Sequence, residues 1–128
     1  MRTNVSARAV IISDDKILLI YRIKNGEEYY VTPGGGVEEG ESIREALKRE
    51  IKEETNLDLV TFEKWYEETY KGVQMLYFIC QVEGSEVKII GEELDKEDKN
   101  NHYEPRWVNK RDLNKITVYP EKIKELAE

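Results

Sequence analysis

Several things that many enzymes rely on are scarce or missing in this 128-residue chain. It has one cysteine, Cys80, which cannot form an internal disulfide, and one histidine, His102, which cannot build a His-based zinc cluster. No apolar run is long enough for a transmembrane helix, and MRTNVSARAV at the N-terminus lacks the apolar core of a signal peptide. Together these absences lead us to expect a cytoplasmic protein. Positive charge is also in deficit, with 20 Lys and Arg against 27 Asp and Glu and a net charge of −7. That balance argues against nucleic acid or an anionic membrane as partner, since both call for a basic surface. Repeats, linkers and low-complexity tracts are missing too. A single domain over residues 1–128 is therefore expected, with 39% hydrophobic residues for one core.

What is present concentrates between Gly35 and Leu57, in GGVEEGESIREALKREIKEETNL. Ser42 opens a helix here, with Glu45 three residues later as a capping box. At roughly 100° per residue, Glu50, Glu53 and Glu54 form one patch of carboxylates. Ile43, Ala46, Leu47 and Ile51 point to the same side, while Arg44, Glu45, Lys48 and Lys52 take the outward face. The acids thus continue the buried stripe, where unpaired charge is costly and usually marks a metal or a function. An ordinary charged surface helix would put its acids on the other side. Converging carboxylates are the hard oxygen ligands that Mg²⁺, Mn²⁺ or Ca²⁺ prefers.

The same stretch resembles the signature of the Nudix hydrolases, the MutT-like pyrophosphohydrolases: G-x5-E-x7-R-E-U-x-E-E-x-G-U, with U aliphatic. The matching residues are Gly35, Glu41, Arg49, Glu50, Ile51, Glu53, Glu54 and Leu57, and Asn56 stands where the family has glycine. Asn tolerates the left-handed conformation that ends helices, so the departure touches no ligand.

The resemblance implies an α/β fold, a Nudix-type α/β/α sandwich with a mixed β-sheet. It implies metal binding by Gly35, through its carbonyl, and by Glu50, Glu53 and Glu54, with Glu50 either a ligand or the base. Glu50, Glu53, Glu54 and Arg49 are the catalytic set it implies, with Arg49 orienting carboxylates as a bidentate partner, and Glu41 assisting a further ion. Mg²⁺ is the expected cofactor, with Mn²⁺ able to replace it. The implied reaction is attack of water on phosphorus in a nucleoside diphosphate linked to another moiety: an NTP, a dinucleotide polyphosphate or a nucleotide sugar. The expected partner is thus a small nucleotide, with no nucleic acid and no membrane, and the protein is expected as a monomer or homodimer. Arg22 resembles a position at which family members carry a phosphate-facing arginine. Tyr29, Tyr30, Tyr70, Tyr77 and Tyr103 offer rings for base stacking or for core and rim packing. An acid from 91–101, namely Glu92, Glu93 or Glu97, is a further candidate ligand.

Around this helix, Val5–Ser13 and Lys16–Ile23 read as a hairpin about Asp14-Asp15. Glu28–Thr32 reads as a short strand that runs into a Pro33-Gly34-Gly35-Gly36 loop. Leu59–Tyr70 and Val73–Val82 are strands about a Lys71-Gly72 turn, and Glu86–Ile90 and Arg106–Val108 are two shorter ones. The tail offers a second helix with Pro120 at its first turn and Ile123, Leu126 and Ala127 inward. Two other functions fit the same fold. One is a domain that senses nucleotide without cleaving it, although such domains typically lose the box acids. The other is a diphosphate isomerase with a catalytic Cys and Glu, against which Cys80 stands in an apolar strand.

Overall fold

In the computed structural model, which describes residues 2–88 and 101–127, β1 (Arg2–Ser13) and β2 (Lys16–Lys24) form the expected hairpin. They pair Ile11 with Leu18 and turn through Asp14 at φ 54°. β3 (Glu27–Val31) folds back on β2 after the Asn25-Gly26 turn. The glycines after Pro33 do not make the expected loop. Gly34–Glu38 is a strand, β4, antiparallel to β1. Glycine carries no side-chain periodicity, so a strand made of it leaves no signal of alternation. Its reason for being glycine is steric. Gly34 sits at φ 137°, and a Cβ there would lie 2.4 Å from the Ala7 carbonyl oxygen.

Helix α1 (Ile43–Thr55) follows, and then β5 (Asp58–Tyr70) and β6 (Val73–Glu83) about the Lys71-Gly72 turn. β7 (Asn101–Asn109) pairs with β2 along the whole length of that strand. It starts five residues before the Arg106 expected for it. Mixed polar and aromatic residues hide its alternation, and Pro105 argues locally against a strand. Pro105 is tolerated because, among the described residues, β7 pairs only with β2. Glu86–Lys88 is not a strand, and Ile89 and Ile90 lie outside the described residues.

The sheet runs β5-β6-β1-β2-β3-β8, where β8 is Val118–Tyr119, with β4 on β1 and β7 on β2. β1–β6 and β3–β8 are parallel and the other pairs antiparallel, so the sheet is mixed. Both faces are covered. Ala7, Ala9, Ile11 and Leu18 meet Ala46, Leu47 and Ile51 of α1. Val10, Ile17 and Leu19, one residue out of phase, meet Leu113, Val118 and Ile123 on the other side. A strand buried on both faces reads as a continuous apolar run, which is how β1 and β2 appear in the sequence.

The second layer is not the expected α-helix. It consists of two 3-10 segments, Lys110–Lys115 and Glu121–Leu126, and Pro120 lies just before the latter. Six residues are too few to sustain an isolated α-helix. The three-residue spacing of Ile123 and Leu126 aligns them on one side of a 3-10 turn. Ile123 is fully buried there, and Leu126 and Ala127 pack against the same cluster. The fold is thus the expected α/β sandwich with a mixed sheet, its outer layer built from 3-10 turns.

Candidate active site

The ends of α1 set the phase of its acids. The Ser42 backbone N–H donates to Glu45 Oε1 at 2.8 Å, and Glu45 N–H donates to Ser42 Oγ at 3.1 Å, closing the capping box. At the far end Asn56 takes φ 67°, the left-handed cap expected of it. Between these points the buried face carries Ala46, Leu47, Glu50, Ile51, Glu54 and Thr55. Glu50 is 5% exposed and Glu54 3%, while Glu53 is half-buried. The helix therefore buries two of the three acids and brings the third to the same cleft.

Arg49 is the hub of one side of this site. Its Nε and Nη2 grip the two Glu41 oxygens at 2.8 and 2.9 Å, the fork geometry of a strong guanidinium–carboxylate pair. Its Nη1 donates to Glu50 Oε1 at 2.7 Å and its Nη2 also reaches the Gly36 carbonyl at 3.1 Å. The Arg49 hydrogen bonds, helped by the Glu38 N–H, hold the Glu41 carboxyl well below its ordinary range, at about 2. Both Glu41 oxygens are thus engaged by Arg49, and the residue anchors the guanidinium rather than facing the cleft. Arg49 thus links the carboxylates of Glu41 and Glu50.

Glu54 is held differently. Gly34 N–H donates to its Oε1 and the Tyr103 hydroxyl to its Oε2, each at 2.8 Å. Burial pushes its carboxyl up to about 7; the Glu50 charge adds to that and Arg8 opposes it. Desolvation, rather than repulsion from the neighbouring acid, leads this shift. Gly35 presses against Glu50, since a Cβ there would lie 2.7 Å from Glu50 Oε1. Its place in β4, beside the carboxylates, is what lets its backbone front the cleft.

Glu50, Glu53, Glu54, Gly34, Gly35 and Arg49 share one cleft of 1410 Å³, larger than a typical small-molecule pocket and suited to an extended ligand. Arg22 reaches it from β2. Its guanidinium lies 4.8 Å from the Tyr103 ring and 5.9 Å from that of Tyr29. The buried Arg22 Nε has no hydrogen-bond partner among the described residues. Of the five candidate tyrosines, Tyr29, Tyr70, Tyr77 and Tyr103 line the cleft. Tyr30 does not, and packs against Tyr21 instead, the rings tilted 53° with centroids 5.2 Å apart.

Sequence reasoning missed Arg8 and Tyr119, both on the cleft wall. Arg8 interrupts the apolar run of β1 and donates to the Thr32 carbonyl and hydroxyl oxygens. A charge inside a run buried on both faces was the available signal. Tyr119 gave none, because it enters through the parallel pairing of β8 with β3, a long-range contact. The candidates Glu92, Glu93 and Glu97 lie outside the described residues. Cys80 is 3% exposed and burial raises its thiol to about 12, so no thiolate is available at neutral pH.

The donor chemistry fits a hard divalent cation: three carboxylates front one cleft, and positive charge brought there favours the ionised form of the buried Glu54. Protein donors hold Glu50 and Glu54 as the chain stands. Among the described residues no three acidic, His or Cys side chains are gathered closely enough to enclose an ion.

The family model for the NUDIX domain matches residues 2–128, and the chain belongs to this family. An uncharacterized Nudix hydrolase of Bacillus subtilis is 41% identical over 51 residues, 40% of this chain and 31% of that protein. The ADP-ribose pyrophosphatase of Methanocaldococcus jannaschii is 50% identical over 54 residues, 41% of this chain and 32% of that protein. These matches span about a third of the length of either relative. In fold, the chain is similar to a NUDIX-family hydrolase from Clostridium perfringens, with a TM-score of 0.73 and 19% identity over 99% of this chain and 94% of that one.

Proposed function

We propose that this chain is a divalent-cation-dependent pyrophosphohydrolase for a nucleoside diphosphate linked to another moiety. The observation that carries the reading is one helical turn, Glu50 to Glu54, presenting its acids to a cleft that Arg8, Arg22 and Arg49 also reach. Glu50, Glu53, Glu54 and the Gly35 carbonyl are the groups that would hold Mg²⁺ or Mn²⁺. Such an ion, when bound, supplies positive charge to the phosphates and lowers the pKa of a water molecule.

The chain's own residues do the rest. Arg49, anchored by Glu41, keeps Glu50 turned toward the cleft. Glu50 serves as ligand or as acceptor of the proton that the attacking water loses. The water oxygen bonds to phosphorus while the bridging P–O bond breaks, and the electron pair leaves with the phosphate-bearing group. Arg22, with a buried N–H in want of an acceptor, is suited to a phosphate oxygen. The exposed rings of Tyr70 and Tyr119 are suited to the base or the second moiety. Cleft arginines resolve the tension between an acidic protein and a polyanionic substrate. The reading takes residues 1–128 as one domain, working as monomer or homodimer in the cytoplasm, where a free thiol such as Cys80 stays reduced.

The test is a panel of NTPs, dinucleotide polyphosphates, nucleotide sugars and ADP-ribose with Mg²⁺ or Mn²⁺, both products being identified by mass. We expect cleavage between phosphates, an alkaline optimum, and loss of turnover on exhaustive chelation. Full activity in the presence of chelator would overturn the reading.

A further inference from the structure

Tyr103 joins the two halves of the cleft. It stands on β7 directly opposite Arg22 of β2, so both side chains leave the sheet on the same face. The Arg22 guanidinium lies 4.8 Å from the Tyr103 ring, and the Tyr103 hydroxyl donates to Glu54 Oε2 at 2.8 Å. Gly34 N–H takes the other Glu54 oxygen. The Glu54 carboxylate is therefore oriented by two neutral donors, while Glu41 is gripped at both oxygens by a cation. A neutral donor fixes direction without cancelling the negative charge, and each oxygen keeps a lone pair for another partner.

We propose that Tyr103 is a positioning residue with two duties: its hydroxyl aims Glu54 at a bound divalent cation, and its ring seats the Arg22 guanidinium for the substrate's anion. The inference rests on the ligand role proposed above for Glu54. Partners that orient a ligand change metal affinity by about 10–100-fold when removed. A guanidinium held over a ring keeps its in-plane N–H groups for a phosphate oxygen.

The two duties separate by substitution. Tyr103→Phe keeps the ring and deletes the donor at a half-buried strand position, so packing is preserved. Mn²⁺ affinity, read by electron paramagnetic resonance on the nucleotide-free protein, should fall about tenfold. The metal-free variant should melt somewhat below wild type, because a buried carboxylate oxygen loses its donor, while its KM at saturating metal stays near wild type. Tyr103→Leu deletes ring and donor together, and should add a several-fold rise in KM to the same loss of Mn²⁺ affinity. Unchanged Mn²⁺ binding in Tyr103→Phe, beside lost binding in Glu54→Gln, would overturn the inference and leave the proposed function standing. Mn²⁺ binding that survives Glu54→Gln would instead remove the ligand assignment beneath it. Equal KM values in the Phe and Leu variants would overturn the role of the ring.

Discussion

The Glu54 carboxyl illustrates how one side chain couples stability to pH. Arg8, Glu50, Gly34 N–H and the Tyr103 hydroxyl surround it, and burial outweighs the favourable ones to bring it to about 7. A carboxyl raised in the folded state stabilises the fold below its unfolded pKa, near 4.5, and that contribution is lost as pH climbs through about 7. Glu41, lowered to about 2, has the opposite sign: its contribution is present above 4.5 and is lost as pH falls toward 2. In chelator, wild-type stability should therefore decline between pH 4.5 and 7 by an amount on the order of 3 kcal/mol or less. Glu54→Gln should remove that decline, since its amide can accept from Gly34 N–H and donate to the tyrosine oxygen. Denaturant melts across this pH range read the effect directly. A Gln variant that melts far below wild type at pH 8 without metal would show Glu54 to be a structural acid.

Cys80 offers the contrasting case of a buried group outside the chemistry. Cys80→Ser should leave turnover within a few-fold of wild type, at a stability cost of roughly 1–2 kcal/mol for the buried hydroxyl. Its contact with the Phe78 carbonyl oxygen, 3.5 Å from the sulfur, gives that hydroxyl an acceptor. A folded variant with no activity would revive the thiol-dependent isomerase.

At the scale of elements, adjacent glycines of β4 serve different ends. A methyl at Gly34 meets backbone, at 2.4 Å from Ala7 O and 2.6 Å from Arg8 Cα, at a φ of 137° that side chains rarely adopt. Gly34→Ala should thus destabilise the β1–β4 pairing by several kcal/mol. A methyl at Gly35 meets the Glu50 carboxylate, which must move away from its Arg49 bond. Gly35→Ala should lose at least tenfold in kcat while melting much closer to wild type than Gly34→Ala. Thermal melts beside turnover numbers separate the two, and the reverse ranking of melting temperatures would refute this division. α1 was legible because capping, amphipathic period and a left-handed stop are local signals, each written within a few residues of where it acts. β4 and β7 were not, because their strand character comes from partners: glycines have no alternation, and β7 mixes His102, Glu104 and Arg106 with Tyr103 and Trp107. For the same reason the acids of the site could be named from sequence, whereas Arg8 and Tyr119 needed the sheet to bring them there. The tail helix failed on length, six residues being ordered by packing of Ile123 rather than by helical propensity.

Across the whole molecule, a net charge of −7 surrounds a cleft into which β1, β2 and α1 direct Arg8, Arg22 and Arg49. Positive charge added at the acid patch of α1 would favour the ionised form of the buried Glu54. A cation that binds the folded state alone stabilises it by mass action, about 2.7 kcal/mol at a hundred times its Kd. For a chain of this length that corresponds to a rise in Tm of roughly 10 °C. The rise should be larger at pH 8 than at pH 5, because at pH 5 the cation must displace the proton that Glu54, at about 7, still carries. Glu53→Gln and Glu54→Gln should each lose most of the Mg²⁺-dependent rise along with most of the turnover, while a surface change such as Glu63→Gln keeps both. Scans at the two pH values, with Mg²⁺ and with chelator, provide the measurement. If wild type and the Gln variants gain equally from Mg²⁺, the ion binds elsewhere and the carboxylates of α1 are not its ligands.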